Sequence, residues 1–164
     1  MKIVYTCFCT DVIHEGHMNI IHEAKKYGRV VVGVLSDEAS IRFNRFPGVS
    51  FTERINMVKS ISGVDEVIIQ NKVMYDEIIE KLHPDYVIHG DNWLEPPMRA
   101  IRDNVSTLLK EYGGKIIDVP YTYSEEIRHI DAQVKERLAM PEYRRKRLRQ
   151  LLQLRPLVKA IEVH

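Results

Sequence analysis

The sequence has no long apolar segment. Its apolar stretches extend over a few residues, whereas a helix needs about 20 to cross a bilayer. Met1 leads directly into a strand-like segment, without the pattern of a signal peptide. We therefore expect a soluble cytoplasmic protein with no membrane partner.

Cysteine is also scarce. Cys7 and Cys9 are the two cysteines, and they lie two positions apart on a predicted strand. Neither has the flanking ligands of a zinc site, and cytosolic cysteines are normally reduced. We expect two free thiols that are packed or that line a site.

The whole chain has almost no excess of charge of one sign, since 24 Lys and Arg balance 23 Asp and Glu. Residues 1–127 contain 14 Lys and Arg against 19 Asp and Glu, whereas residues 128–164 contain 10 against 4. A nucleic-acid-binding protein more often has its basic surplus across a folded face. We expect a local phosphate site and no nucleic-acid partner, although the basic segment 142–149 leaves duplex binding open as a further hypothesis.

Strand-like and helical segments alternate along most of the chain. Strands are predicted at 2–9, 29–35, 64–70, 86–88 and 115–119. Helices are predicted at 16–27, 50–61, 75–82 and 97–112, with an irregular, mobile segment at 39–49. The pattern predicts an α/β fold, a Rossmann-like doubly wound parallel five-stranded sheet with a C-terminal helical extension. We expect a nucleotide-binding domain at 1–125 and an extension at 126–164.

The segment His14-Glu15-Gly16-His17 lies where the first strand turns into the first helix. Free N–H groups at a helix start favour anions, and a glycine allows the backbone to approach a ligand closely. Two histidines three apart can both face that ligand. The segment therefore predicts a triphosphate site, and two capping or surface histidines are the alternative.

A metal site is a second interpretation of this segment, with His14, His17 and either His22 or Asp11 as ligands. The spacing lacks the i, i+4 histidine pair of zincin helices. We therefore expect no protein-bound metal here.

Several motifs together resemble the cytidylyltransferase superfamily, typified by glycerol-3-phosphate cytidylyltransferases, over about residues 1–125. They are Thr10-Asp11-x-x-His14-x-Gly16-His17, Ser50-Phe51-Thr52-Glu53-Arg54, Val64-Asp65-Glu66-Val67 and Gly90-Asp91-Asn92-Trp93. The resemblance implies a CTP-dependent cytidylyltransferase with Mg²⁺ carried on CTP, and we also expect a homodimer.

The resemblance also implies roles for individual residues. His14, His17 and Arg45 would bind the phosphates and stabilise the transition state. The nucleotide would contact Phe8, Cys9, Thr10, Gly16, Gly90, Asp91, Asn92, Trp93, Thr122 and Ser124. The acceptor would contact Arg42, Arg54 and Tyr121.

The third family motif, Arg-Thr-x-Gly-Ile-Ser-Thr-Thr, is replaced here by Tyr121-Thr122-Tyr123-Ser124-Glu125-Glu126. Thr122 and Ser124 are the hydroxyls that match. The change removes an arginine and adds two carboxylates, so we expect an altered acceptor pocket at this edge.

The C-terminal segment carries a second resemblance. Residues 147–152 and 155–164 are similar to the opening of phosphoenolpyruvate mutase, which occurs fused to cytidylyltransferases in phosphonate biosynthesis, including the fosfomycin (antibiotic) pathway. The alternative is a basic amphipathic helix that covers the sheet or a partner.

The two resemblances together imply transfer of CMP from CTP to a phosphonate with release of pyrophosphate. The first choice of acceptor is 2-hydroxyethylphosphonate and the second is 2-aminoethylphosphonate. Glycerol 3-phosphate, an amino-alcohol phosphate and a non-catalytic nucleotide-binding module remain alternatives, and the motifs do not exclude ATP as the donor.

Overall fold

The computed structural model describes residues 1–9, 11–43, 45–122 and 124–154. The chain divides into two compact units, and the second begins at Ser124. Thr10, Asn44, Tyr123 and the segment 155–164, which resembles the mutase, lie outside the described residues. Among the described residues, no helix is both long enough and apolar enough to span a membrane.

A five-stranded sheet with the strand order β3-β2-β1-β4-β5 forms the first unit, and every pair of neighbours is parallel. The strands are β1 (Ile3–Phe8), β2 (Arg29–Leu35), β3 (Glu66–Gln70), β4 (Tyr86–Gly90) and β5 (Lys115–Val119). The chain order reverses at β1, so the carboxyl ends of β1 and β4 flank the crevice where such folds bind ligands. The predicted fold class is confirmed.

Helices follow the strands as the sequence predicts. In the first unit they are α1 (Glu15–Lys25), α2 (Asp37–Arg42), α3 (Phe51–Lys59), α4 (Asp76–Leu82) and α5 (Arg99–Tyr112), with a 3₁₀ helix at Asp91–Leu94. The second unit contains α6 (Glu125–Ala139) and α7 (Pro141–Leu154).

A capping box opens α3, as its sequence predicts. The hydroxyl of Ser50 accepts a hydrogen bond from the Glu53 N–H at 3.3 Å, and the Glu53 carboxylate accepts from the Ser50 N–H at 3.1 Å. Each side chain satisfies a backbone donor that the helix itself leaves without a partner.

The expectation of an irregular segment at 39–49 is wrong in its first part, because Asp37–Arg42 forms α2. The hydroxyl of Ser36 caps this helix by accepting from the Ala39 N–H at 3.3 Å. Ala39 and Ile41 are buried. Six residues are too few to show a helical period in the sequence, so burial against the sheet rather than pattern stabilises this helix.

Both faces of the sheet are covered, which explains its continuous apolar strands. One cluster joins β1 and β2 to α1 and α3 and includes Val4, Phe8, Ile21, Ala24, Val30, Val32, Val34 and Val58. The other lies on the opposite face with α4 and α5 and includes Tyr5, Val31, Ile78, Ile79, Val87, Trp93, Val105 and Leu109.

In the second cluster, the side chain of Tyr5 on β1 packs closely against Gly33 on β2. The Tyr5 ring lies over Gly33 of β2, where an added Cβ would come within 1.8 Å of the phenol oxygen. That phenol donates a buried hydrogen bond of 2.5 Å to the side-chain oxygen of Gln70 on β3. Glycine at position 33 therefore lets Tyr5 reach across β2.

Gly33→Ala is expected to lower the free energy of unfolding by about 1–3 kcal/mol, because the new methyl group must displace Tyr5 from a packed core. Chemical denaturation measures this. Adding Tyr5→Phe should recover part of the loss, because it removes the nearest clashing atom. Glu111→Ala, at an exposed helical position, is the control and should change stability by less than about 0.5 kcal/mol. Full stability in Gly33→Ala would contradict this packing.

Candidate active site

His14 and His17 form a reciprocal cap at the start of α1. Nδ1 of His14 accepts a hydrogen bond from the Gly16 N–H at 3.1 Å. Nδ1 of His17 accepts one from the His14 N–H at 3.4 Å. The ring centroids lie 4.0 Å apart. The structure thus confirms that both histidines cap the helix, and the cap holds their rings just beyond the carboxyl end of β1, while their contact with a triphosphate stays a prediction.

His17 is held in a partly apolar setting. Its ring contacts Phe8 edge to face, with the centroids 4.7 Å apart. Burial lowers the pKa of His17 to about 3, and the neighbouring His14 and His89 act in the same direction. The imidazole of His17 is therefore neutral near pH 7.

A third imidazole, His89, enters the site from the carboxyl end of β4. It is half-buried and close enough for its charge to affect His17. His89 is not among the predicted site residues, although it directly follows the buried pair Val87-Ile88 at a strand end. The position of a polar residue at the end of a central parallel strand is the signal that identifies it.

The predicted role of Trp93 as a wall of the nucleotide pocket is corrected by burial. The indole is completely buried, so it has no surface for a ligand. Its N–H donates to Asp118 at 2.6 Å, and its ring stacks on His89 with a centroid distance of 4.4 Å. Trp93 therefore supports His89 from behind.

Asp118 on β5 holds this layer in place. Arg102 of α5 grips its two carboxylate oxygens at 3.1 and 2.6 Å. The hydrogen bond from Arg102 and the one from Trp93 lower the pKa of Asp118, while burial opposes them. An ionised Asp118 thus fixes the indole through a charge-assisted hydrogen bond.

The segment after β5 is anchored to the site at two points. Asp91 accepts a hydrogen bond from the Tyr121 N–H at 2.9 Å. The Asn19 amide of α1 donates to the Thr122 hydroxyl at 2.8 Å. Tyr121 and Thr122, the first two of the residues that replace the third family motif, are therefore fixed against Asp91 and α1.

The predicted acceptor contact of Arg54 is also corrected. Its side chain is 1% exposed, donates to the Leu35 carbonyl at 2.9 Å and pairs with Asp37. These contacts tie α3 to the end of β2 and to α2. Arg54 is therefore a structural residue that a substrate does not reach.

Two further arginines lie in the segment between β2 and α3. Arg42 is exposed and pairs with Glu38 at 2.8 Å along α2. Arg45 is exposed, and its backbone N–H donates to the Ser40 carbonyl at 2.8 Å. Burial lowers the pKa of His89, and the positive charge of Arg45 acts in the same direction. The charge of Arg45 therefore acts on His89, and its predicted contact with the phosphates stays a prediction.

The remaining predicted nucleotide contacts are placed as follows. Phe8 is buried under His17, and Cys9 is half-buried with its sulfur 3.4 Å from the Ser40 hydroxyl. Gly90 is buried beside the exposed Asn92. Thr10 lies outside the described residues. Ser124 belongs to the second unit, where its hydroxyl caps α6 by accepting from the Ile127 N–H at 3.2 Å.

The described side chains of the site do not form a resident metal site. No group of three or more His, Cys, Asp or Glu able to hold a metal ion occurs among the residues that the structure describes. The groups gathered here are imidazoles and a guanidinium, whereas Mg²⁺ prefers oxygen ligands. These residues thus fit an anionic ligand better than a bare cation.

Similarity to curated proteins covers most of the first unit. The bifunctional protein HldE of Desulfatibacillum aliphaticivorans is 30% identical over 122 residues, which are 73% of this chain and 24% of that protein. The ethanolamine-phosphate cytidylyltransferase of Arabidopsis thaliana is 38% identical over 95 residues, 54% of this chain and 23% of that protein. The chain spans about a quarter of the length of these relatives.

Solved structures agree in fold at low sequence identity. A lipopolysaccharide core biosynthesis protein of Thermoplasma volcanium is 20% identical, with a TM-score of 0.61 over 76% of this chain and 99% of that one. Pantothenate synthetase of Thermus thermophilus is 14% identical, with a TM-score of 0.56 over 89% of this chain and 64% of that one. The model of the cytidylyltransferase-like family matches residues 4–150, so the chain belongs to that family, as its motifs predict.

Proposed function

We propose that this protein is a nucleotidyltransferase that moves CMP from CTP to a phosphonate and releases pyrophosphate. The first choice of acceptor is 2-hydroxyethylphosphonate and the second is 2-aminoethylphosphonate. The observation that carries the proposal is the pair of reciprocally capped imidazoles at the switch point of the sheet. Family membership supports the transfer chemistry, and the resemblance of the tail supports the phosphonate.

The capping contacts determine which nitrogen of each imidazole carries the proton. Nδ1 of both His14 and His17 accepts a backbone hydrogen bond, so the proton of each neutral ring is on Nε2. A neutral imidazole in this tautomer is a hydrogen-bond donor without being charged. Both rings are thus preset to donate to phosphate oxygens.

Donors at the α-phosphate stabilise charge that increases as pyrophosphate departs. Nε2–H of His17 and of His14 would serve this role, and Arg45 would hold the phosphates with a guanidinium that can bind two oxygens. The positive end of the α1 helix dipole adds to the same field. Mg²⁺ would enter with the triphosphate as its counterion, and no step here depends on it.

The acceptor requires no general base in this reaction. A phosphonate oxygen is already ionised near neutral pH and attacks the α-phosphorus in line, so that the new P–O bond forms as the bond to pyrophosphate breaks. Catalysis then depends on positioning and on charge stabilisation. No residue is needed to take a proton from the acceptor. His17 can therefore act as a neutral hydrogen-bond donor through Nε2 and is not required as a base.

An amino-alcohol phosphate is the alternative to a phosphonate as acceptor. The Arabidopsis relative is an ethanolamine-phosphate cytidylyltransferase, and it shares 38% identity over 95 residues. Glycerol 3-phosphate and a non-catalytic nucleotide-binding role remain further candidates. The proposal also includes a cytoplasmic homodimer and fusion to a mutase domain, both argued from the sequence.

Pyrophosphate release distinguishes these functions. The protein is incubated with CTP or ATP and with each of 2-hydroxyethylphosphonate, 2-aminoethylphosphonate, phosphoethanolamine and glycerol 3-phosphate. We expect release with CTP and the highest kcat/KM with a phosphonate. Higher kcat/KM with a phosphate ester would reassign the acceptor, and no release with any pair would leave the non-catalytic role.

His14→Asn tests the role of the imidazole apart from that of the cap. Asparagine is a good N-cap, so helix α1 should retain its stability, whereas the donor at Nε2 is lost. We expect kcat to fall by about 10²–10³-fold, the usual effect of removing one oxyanion donor. His17→Asn should behave in the same way.

The control is His22→Asn, an exposed position of the same helix. It should retain wild-type kcat, and thermal unfolding should show that all three variants are folded. Wild-type turnover in His14→Asn and His17→Asn would rule out both imidazoles as donors.

The lowered pKa of His17 predicts a dependence of stability on pH. Its folded pKa of about 3 lies below the ordinary value of 6.5, so the unfolded chain binds the proton more tightly. Protonation of His17 should therefore have no effect on the free energy of unfolding above pH 6.5. As the pH falls from 6.5 towards 3, protonation of His17 in the unfolded chain should lower that free energy. Denaturation of wild type and His17→Asn across this range should show a shallower acid loss in the variant.

NMR provides an independent measurement of the same group. The His17 ring resonances, assigned with His17→Asn, should not titrate between pH 5 and 8. A His17 transition near pH 6.5 would contradict the buried, neutral imidazole.

A further inference from the structure

The orientation of the His89 imidazole is fixed by the ring of Trp93. Its ring stacks nearly parallel on Trp93, at an interplanar angle of 15° and a centroid distance of 4.4 Å. Trp93 is itself held by Asp118, which is gripped by Arg102. A half-buried ring supported in this way has little freedom to rotate, so its two nitrogens face fixed directions.

The hydrogen bonding of His89 determines its tautomer. Nδ1 lies 2.9 Å from the Gly90 carbonyl oxygen, which can only accept. Nδ1 therefore carries the proton, and Nε2 presents a lone pair. This tautomer is opposite to that of His14 and His17, whose Nδ1 atoms accept.

The position of His89 in the sheet places it close to the groups assigned to phosphates. It lies near the carboxyl end of β4, which pairs directly with β1, so it lies at the same crevice as His14 and His17, which follow the carboxyl end of β1. The neighbouring His89 also contributes to the lowered pKa of His17, in agreement with this position. A lone pair repels phosphate oxygens, and the triphosphate of CTP has no hydrogen-bond donor to offer. Beside the phosphates, a hydroxyl or ammonium group on the second substrate is a donor that matches Nε2, whereas the donors of CTP lie on its ribose and base.

We propose that His89 determines acceptor specificity: its Nε2 accepts a hydrogen bond from a hydroxyl or ammonium group close to the phosphorus of the acceptor. This inference rests on the proposed function. It adds a requirement that phosphate binding alone does not impose, namely a donor on the carbon chain of the acceptor. An acceptor that lacks such a group leaves Nε2 without a partner and is bound less well.

A set of three phosphonates tests the inference. 2-Hydroxyethylphosphonate and 2-aminoethylphosphonate each carry a donor, whereas ethylphosphonate has the same chain without one. Wild-type protein with CTP should prefer the donor-bearing compounds by about tenfold in kcat/KM. A larger preference for one of the two indicates whether the natural donor is a hydroxyl or an ammonium group.

Two variants locate that preference at His89. His89→Phe retains a ring that can stack on Trp93 but has no hydrogen-bond acceptor. In this variant kcat/KM for the donor-bearing phosphonates should be about equal to that for ethylphosphonate. His89→Gln restores an acceptor oxygen and should recover part of it. His22→Phe, at an exposed position of α1, is the matched control and should keep the wild-type ratio. An unchanged ratio in His89→Phe, or a change confined to the KM for CTP, would overturn the inference.

The tautomer is measured without turnover. Nitrogen NMR of labelled protein, assigned with His89→Gln, should show Nδ1 protonated and Nε2 unprotonated. A proton on Nε2 in the resting protein would overturn the inference whatever the kinetics show.

Measurements on the wild-type protein distinguish failure of the proposed function from failure of this inference. If no phosphonate releases pyrophosphate, the transfer reaction is wrong, and calorimetric titration of the three phosphonates into CTP-loaded protein decides the role of His89. Tighter binding of the two donor-bearing compounds that is lost in His89→Phe supports it. Equal affinity for all three overturns it.

Discussion

The site depends on the unsatisfied backbone N–H groups at the start of α1. A helix leaves its first N–H groups without partners inside the helix, and here two of them, on His14 and Gly16, are taken up by imidazole nitrogens. That contact fixes both rings at the start of α1 and, for neutral rings, places their protons on Nε2. Capping is therefore compatible with the phosphate binding that we propose, because it uses Nδ1 of each ring.

A second layer supports the site from the opposite side of the crevice. The chain of contacts from Arg102 through Asp118 and Trp93 ends at His89, and each member is held by the one before it. The tryptophan that the family resemblance assigns to the nucleotide lies in this layer and does not reach the pocket surface. A buried aromatic residue in a binding motif can thus act through the polar residue that it supports.

The segment after β5 carries the changed motif. Tyr121 differs from the family pattern whereas the hydroxyl of Thr122 matches it, and Asp91 and Asn19 hold these two residues by hydrogen bonds. These contacts fix the segment after β5 beside α1 and the 3₁₀ helix Asp91–Leu94.

Local and periodic features of the sequence determined much of this protein. The apolar run of β2, the strand β5, the capping box at Ser50 and the His14–His17 segment have the same form in the structure, because each depends on neighbours within a few residues. Tertiary structure decided the rest. Burial of Arg54 and Trp93 and the entry of His89 depend on contacts between residues far apart in the chain, and α2 is stabilised by packing rather than by its six residues. The sequence by itself therefore determined the sheet and the capped start of α1, whereas long-range packing decided which polar and aromatic side chains of the predicted site are buried.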